Sequence, residues 1–134
     1  MILIDTNIFL EAALGQEKSD DCQELLTAIS ESKIEATVTH FTVHGVAAVL
    51  ARGQRVLDFF RAIEGSQGLT VYDSSIIDEL SIAILSEKIS RDFDDTMQYF
   101  VAEKIGAEAI VSFDRHFDGL PIPRIEPAQI LSES

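Results

Sequence analysis

The sequence is poor in cysteine, in long apolar runs and in basic residues, and each shortage excludes a class of protein. Its single cysteine, Cys22, cannot form an internal disulfide. No apolar run approaches the roughly 18 residues that span a bilayer, and no basic stretch precedes the short apolar segment at the N-terminus. We therefore expect neither a membrane span nor a signal peptide, and hence a cytoplasmic protein with no membrane partner.

Positive charge is scarce, and this limits the partners that the protein can bind. The chain carries 10 Lys and Arg residues against 23 Asp and Glu residues, which gives a formal net charge of −13 at pH 7. Such a charge repels nucleic acid on average, so any contact with nucleic acid needs a local basic patch or bound cations. The same charge suits a protein that gathers carboxylates around metal ions, because divalent cations offset part of it.

Repeats, low-complexity tracts and linker-like stretches are absent too, so the chain reads as one folding unit. A length of 134 residues is close to the common size of a domain. The hydrophobic share of 46% and the charged share of 25% are those of an ordinary globular protein. We expect a single domain over residues 1–134.

Short apolar segments rich in β-formers alternate with longer segments of helical periodicity. The segments "MILI", "EATVTH", "GLTVYD" and "EAIVSF" predict strands, and a further edge strand is expected around residues 124–126. This alternation predicts an α/β fold with a mostly parallel sheet of four or five strands. The expected helices cover residues 6–13, 20–30, 42–51, 55–63, 75–86 and 93–105.

Acidic residues stand where the strands and one helix of this fold would meet. Asp5 follows "MILI" and Asp114 closes "AIVSFD", and the carboxyl ends of parallel strands lie at one edge of a sheet. In "SRDFDDTMQ", Asp92 and Asp95 are spaced to share a helix face, whereas Asp94 is expected to point elsewhere. We expect Asp5, Asp95 and Asp114 to converge around Mg²⁺ or Mn²⁺, ions that support phosphodiester hydrolysis.

Each of these acids also has a structural interpretation. Asp5, Asp92 and Asp95 stand at helix starts, where capping and the helix dipole favour acids, and Asp114 could begin a turn. The expected convergence of acids from distant parts of the chain favours the metal site over these readings.

The segments "MILIDTNIFLEA" and "DFDDTMQYFVAEKIGAEAIVSFDRHFD" resemble the PIN-domain nucleases, and the resemblance covers essentially the whole chain. It implies a three-layer α/β/α fold with an acidic metal pocket. Such pockets are often found in ribonucleases that cut single-stranded RNA, including toxins of the VapC kind. By position, Asp5, Asp95 and Asp114 match the family's metal-binding acids, and Asp118 falls where some members place a further carboxylate.

Supporting roles are also expected around these acids. Asn7 matches a small polar position of the opening motif and would orient Asp5, and Asp92 would support the same group of acids. Arg115 and His116 directly follow Asp114 and could contact a phosphate. If the chain is a toxin, a small antitoxin protein should block its pocket.

One departure from the family pattern bears on activity. Members usually carry a Glu early in the helix after the second strand, and "TVHGVAAVL" places Gly45 there, with no Asp or Glu anywhere in residues 36–57. His44 is a poor replacement because it projects about 100° away around the helix. Two interpretations follow: a metal-dependent nuclease, with reduced activity, or a weak or inactive PIN-like module that binds RNA or a protein partner.

Three further expectations concern zinc, oligomeric state and a rival enzyme class. His40 and His44 would need to lie four apart on one helix to hold zinc, but His40 is expected at a strand end. The apolar content of residues 41–60 exceeds the need of one core face, which predicts a homodimer. A haloacid-dehalogenase-type phosphatase is disfavoured because Asn7 stands where its second acid is needed.

Overall fold

The computed structural model describes residues 1–133 and contains a parallel five-stranded sheet in the order β3-β2-β1-β4-β5. The strands are β1 (Ile2–Ile4), β2 (Ala36–Thr39), β3 (Leu69–Tyr72), β4 (Ile110–Val111) and β5 (Arg124–Ile125). The helices are α1 (Thr6–Leu14), α2 (Ser19–Ser30), α3 (His40–Leu50), α4 (Gln54–Gly65), α5 (Ile76–Ile89), α6 (Phe93–Lys104) and α7 (Pro127–Glu133).

The first strand lies at the centre of the sheet because its residues are apolar on both faces. Leu3 and Ile4 are fully buried, and burial of each side chain contributes about 1.5–3 kcal/mol. Leu3 pairs with Thr37 of β2 on one side and with Ile110 of β4 on the other. A continuous apolar run is typical of a central parallel strand that is covered on both faces.

Helices cover both faces of the sheet, so the molecule has three layers. Alternate residues of β1 point to opposite faces: Ile2 and Ile4 join the core beneath α1–α4, and Leu3 joins the core beneath α5 and α6. The last helix, α7, packs against α2 on the first face. The expected α/β/α fold with a parallel central sheet is therefore confirmed.

Polar side chains fix where the helices begin at the carboxyl edge of the sheet. Asp5 accepts a hydrogen bond from the Thr6 N–H at 2.8 Å and starts α1 directly after β1. Thr39 accepts from the Thr42 N–H at 3.0 Å and starts α3 directly after β2. These caps satisfy backbone donors that the first helical turn leaves unpaired.

The six helices expected from periodicity are all present, with ends within three residues of the expected ones. One expectation at the end of an element is wrong, and one helix was not expected. His40 does not end a strand; it begins α3, because Thr39 caps the helix there. The helix α7 was not expected; proline is compatible with the first position of a helix, and Pro127 occupies it.

The side chain of Cys22 is a free thiol that is buried in the core. None of the helices within residues 1–133 combines the length and the hydropathy that a membrane span requires.

Candidate metal-binding active site

Asp5 is a buried carboxylate at the carboxyl end of the central strand. Its exposed fraction is 7%, and one carboxylate oxygen accepts the helix-capping hydrogen bond from Thr6. The Ser112 hydroxyl donates a hydrogen bond of 2.7 Å to its other oxygen, Oδ2. Both oxygens are thus held in place by groups that follow β1 and β4, the two central neighbours in the sheet.

Ser112 holds Asp5 in place through its hydroxyl group, a role that was not predicted from the sequence. Its hydroxyl oxygen accepts hydrogen bonds from Asn7 Nδ2 at 3.2 Å and from the Asp114 N–H at 2.9 Å. The side-chain oxygen of Asn7, Oδ1, in turn accepts a hydrogen bond of 3.4 Å from the Phe113 N–H. Asn7 therefore reaches Asp5 through Ser112, and the same hydroxyl ties Asp5 to the backbone of Asp114.

Asp95, Asp114 and His116 form a second group at the same edge. One ligand atom from each residue lies within 4.8 Å of the others, a spacing that a single metal ion can bridge. His116 Nδ1 is 3.4 Å from Asp95 Oδ2 and 3.3 Å from Asp114 Oδ1. Asp95 comes from the first turn of α6, and the other two residues come from the turn after β4. The Asp95 side chain is mostly buried, and that of His116 is exposed.

The electrostatics link Asp5 to this second group. Burial raises the pKa of the Asp5 carboxyl to about 6, and the negative charges of Asp94 and Asp114 add to the rise. The hydrogen bonds from Ser112 and Thr6 oppose it. Asp114 is thus close enough to act on Asp5 while its carboxylate also lies beside His116.

The pKa of Asp95 is raised to about 6, first by burial and then by the charges of Asp92, Asp114 and Asp94. His116 opposes the rise. Carboxylates that raise one another's pKa values are held together against their mutual repulsion, which a divalent cation would relieve.

The charge of Asp94 acts on the other acids, although the helical spacing predicts that its side chain points elsewhere. Its own pKa is raised by burial, by Asp92 and by Asp114, and its charge acts on Asp5. Gln98, one turn further along α6, opposes the rise through a hydrogen bond. Asp94 stands in the first turn of α6, where side chains lean back toward the start of the helix. It therefore belongs to the acidic group.

A buried polar network joins three helices beneath the acids. The Thr42 hydroxyl contacts the Thr6 hydroxyl at 3.0 Å and accepts a hydrogen bond of 2.8 Å from Gln98 Nε2. Gln98 is fully buried, and its Oε1 has no hydrogen-bond partner among residues 1–133. A buried acceptor left unpaired costs about 1–3 kcal/mol unless water or an ion satisfies it.

Gly45 leaves open space on the helix face that turns toward α6. Thr42, three residues earlier, contacts Gln98, and the ring of Phe41 packs 6.0 Å from that of Phe93 at the start of α6. A Cβ atom added at Gly45 would meet nothing within 4 Å. The first side-chain atom of a residue at position 45, where the resemblance implies a Glu, would therefore meet no other atom.

The remaining residues named from the sequence lie around this group. Asp92 caps α6 by accepting a hydrogen bond of 3.1 Å from the Asp95 N–H, so its capping role is present. Asp118 instead pairs with Arg124, whose Nε lies 2.8 Å from Asp118 Oδ1. Arg115 is exposed on the turn that follows Asp114.

A cavity of about 330 Å³ opens beside the acids. An arginine, a histidine and two aspartates line it together with two other residues. The lining residues are Ile89, Ser90, Arg91, Asp92, Asp95 and His116. A larger groove of about 500 Å³ runs between α1, α2 and α4. Among residues 1–133, its walls include none of the four clustered acids, which are Asp5, Asp94, Asp95 and Asp114. The smaller cavity is therefore the one relevant to chemistry at the acids.

Two solved structures share this fold over nearly the whole chain. One is the Mycobacterium tuberculosis toxin VapC20, described as cleaving the sarcin–ricin loop, with a TM-score of 0.75 and 19% identity over 95% of this chain and 100% of that one. The other is a toxin–antitoxin complex from Klebsiella pneumoniae, with a TM-score of 0.74 and 15% identity over 95% of this chain and 98% of that one.

Comparison by sequence leads to a family. A search of curated proteins finds no match. The sequence profile described as "PIN domain" matches residues 1–116, which include Asp5, Asp95 and Asp114. The family resemblance seen in the sequence is therefore confirmed: this chain belongs to the PIN-domain family.

Proposed function

We propose that this chain is a divalent-metal-dependent nuclease that hydrolyses phosphodiester bonds, and that its substrate is single-stranded RNA. The observation that carries the proposal is the gathering of Asp5, Asp95 and Asp114 at one edge of the sheet, with the pKa values of Asp5 and Asp95 raised to about 6. Acids in this state are an arrangement that a cation stabilises.

The donor set fits Mg²⁺ or Mn²⁺. Carboxylate oxygens are ligands that both ions accept, and the unpaired Gln98 Oε1 shows that the polar groups around α6 are not fully satisfied by the described part of the chain. When bound, such an ion activates water and offsets charge on the scissile phosphate. The chain itself holds Asp5 through Ser112 and Thr6, and holds Asp114 through its backbone N–H.

The choice of RNA and of a toxin role is supported by the structural relatives. VapC20 is described as a toxin that cleaves the sarcin–ricin loop, and the second relative was solved as a toxin–antitoxin complex. We propose accordingly that this chain acts on RNA as the toxin of such a pair, in the cytoplasm, and that a small antitoxin protein blocks its acidic site.

A weak or inactive PIN-like module that binds RNA or a protein is the second candidate. Gly45 favours it, because the resemblance implies a Glu there and residues 36–57 contain no Asp or Glu. Against it stands the group of four acids, which has no evident use without a cation and repels RNA when unscreened.

Cleavage of a labelled single-stranded RNA by the purified protein with Mn²⁺ separates the two candidates. We expect cutting that stops when the cation is chelated and that is absent from an Asp114→Asn variant purified in the same way. A folded wild-type protein that binds the RNA but leaves it intact would favour the binding module.

We also propose a homodimer, with α5 as its contact surface. Ile76, Ile77, Leu80 and Ile84 lie on the outer face of this helix and are each more than 50% exposed. The surplus apolar surface was expected in residues 41–60. The exposed apolar side chains of that range are less exposed on average than those of α5; they are Phe41, Val49, Leu57 and Phe60, at 41–56%. An exposed apolar helix face of this kind favours burial against a partner.

A second copy of the same helix can serve as that partner. An antiparallel pairing of two α5 helices about a two-fold axis near Leu80 brings Ile77 toward Ile84 of the other copy. The two helix dipoles then run in opposite directions, which favours the pairing. The contact therefore buries the apolar face of α5 against itself.

Light scattering at micromolar concentration tests this contact. We expect a dimeric mass for the wild type, a monomeric mass for Leu80→Glu and a dimeric mass for the control Leu57→Glu on α4. A monomeric wild type would refute the dimer, and dissociation by Leu57→Glu alone would move the contact to α3 and α4.

A further inference from the structure

His116 stands among carboxylates in a way that a phosphate contact does not require. Its Nδ1 lies 3.4 Å from Asp95 and 3.3 Å from Asp114, between two acids from different parts of the chain. An imidazole nitrogen in such a position is itself a metal donor, since histidine is the commonest metal ligand in proteins.

The backbone around His116 is fixed from both sides. Its N–H donates a hydrogen bond of 2.9 Å to Asp114 Oδ1, and its carbonyl oxygen accepts one from the Arg91 guanidinium. The next residue, Phe117, is buried in the core beneath α6. The imidazole is therefore presented to the acids by a turn that is anchored in the core, although the ring itself is exposed.

The donor set at this edge of the sheet combines oxygen and nitrogen. Asp95 and Asp114 offer carboxylate oxygens and His116 offers an imidazole nitrogen, all within 4.8 Å of one another. Gln98, one turn beyond Asp95 on α6, has a buried side-chain oxygen, Oε1, with no partner in the described part of the chain. The helix that supplies Asp95 therefore also carries a polar atom that the described residues leave unsatisfied.

We infer that His116 is a metal ligand and that it makes the site selective for a first-row transition-metal ion such as Mn²⁺ over Mg²⁺. Mg²⁺ demands oxygen ligands and sheds its water reluctantly, whereas transition-metal ions accept imidazole as well as carboxylate. The inference rests on the proposed metal site and adds to it the identity of one ligand and the class of ion.

Pulsed electron paramagnetic resonance of Mn²⁺ bound to the full-length protein tests the ligand directly. We expect nuclear modulation from a coordinated ¹⁴N nucleus in the wild type and its loss in His116→Asn. The matched control is His44→Asn, because His40 and His44, with ring centroids 4.3 Å apart on α3, are another source of nitrogen ligands. That control should keep the modulation.

Calorimetric titration tests the selectivity. We expect His116→Asn to weaken Mn²⁺ binding about 10-fold and to leave Mg²⁺ binding nearly unchanged. Mn²⁺ that binds without ¹⁴N modulation, modulation that His44→Asn removes, or equal weakening of both ions would overturn the inference and leave the proposed nuclease site intact. A wild-type protein that binds no Mn²⁺ would overturn both.

Discussion

The molecule contains two groups of neighbouring acids, and the two groups differ in how their negative charge is balanced. Asp118 and Glu126 share Arg124, whose Nε and Nη1 lie 2.8 and 3.1 Å from their carboxylate oxygens. The hydrogen bond from Arg124 lowers the pKa of Glu126. The chain thus supplies its own cation to this group, which needs no ligand from outside.

Among residues 1–133, no arginine or lysine side chain forms an ion pair with the group around Asp114. The pKa values of Asp5 and Asp95 are raised to about 6, and the side chain that opposes the rise at Asp95 is His116 rather than an arginine or lysine. Acids balanced from within serve the structure, whereas acids left in mutual repulsion favour a cation from solution. This difference separates Asp118, which the sequence had grouped with the metal ligands, from Asp114.

Removing one carboxylate from each group should give the largest contrast. We expect Asp95→Asn to reduce RNA cleavage by about 100-fold or more, because it removes a proposed metal ligand. Asp118→Asn should reduce cleavage only slightly, because its carboxylate pairs with Arg124. Initial rates with Mn²⁺ provide the measurement, and equal losses in the two variants would break the distinction between the groups.

The raised pKa of Asp5 predicts that the cation-free protein becomes more stable as the pH falls from 7 to 5. A raised pKa means that the folded state holds a proton more tightly than the unfolded state. The resulting stability is fully present below about pH 3.8 and is lost as the pH rises through about 6. The difference between 3.8 and about 6 corresponds to at most about 3 kcal/mol.

Urea unfolding at the two pH values, with a chelator present, measures this effect. Asp5→Asn is the control, because asparagine still caps α1 but carries no charge. Its stability should change less between pH 7 and pH 5 than that of the wild type. Parallel pH dependences in the two proteins would show that Asp5 is not the source.

Restoring the missing carboxylate should have a smaller effect. Gly45→Glu fits the open space on α3, and we expect it to strengthen Mn²⁺ binding about 10-fold and to favour the helix by up to about 1 kcal/mol. Calorimetry would compare it with Gly45→Gln, which has the same size and no charge. Equal Mn²⁺ affinities in the two variants would show that a carboxylate at position 45 does not contribute to the metal site.

The strands and helices that position this site could be predicted from the sequence because they follow from the spacing of apolar residues. Apolar strands that end in Asp5 and Asp114 must deliver those acids to the carboxyl edge of a parallel sheet, and this placement required no knowledge of side-chain contacts. The first six helices were predicted equally well, since their apolar residues recur at helical spacing, whereas α7 was not predicted.

The parts that were missed depend on contacts between distant residues. Ser112 serves Asp5 across 107 positions of the chain, through the pairing of β1 with β4, and a serine carries no sequence signal for that role. The action of the Asp94 charge on Asp5 was not predicted, because it depends on how α6 packs against the sheet. The pairing of Asp118 with Arg124 was not predicted, because Arg124 belongs to a later strand.

Calorimetric titration of Mn²⁺ into the wild type, Asp114→Asn and Asp118→Asn tests the central claim most directly, because it asks whether the unbalanced acids bind a cation and the balanced acids do not. We predict saturable binding by the wild type and by Asp118→Asn, and its loss in Asp114→Asn. Equal binding by all three proteins, or none by the wild type, would contradict the account.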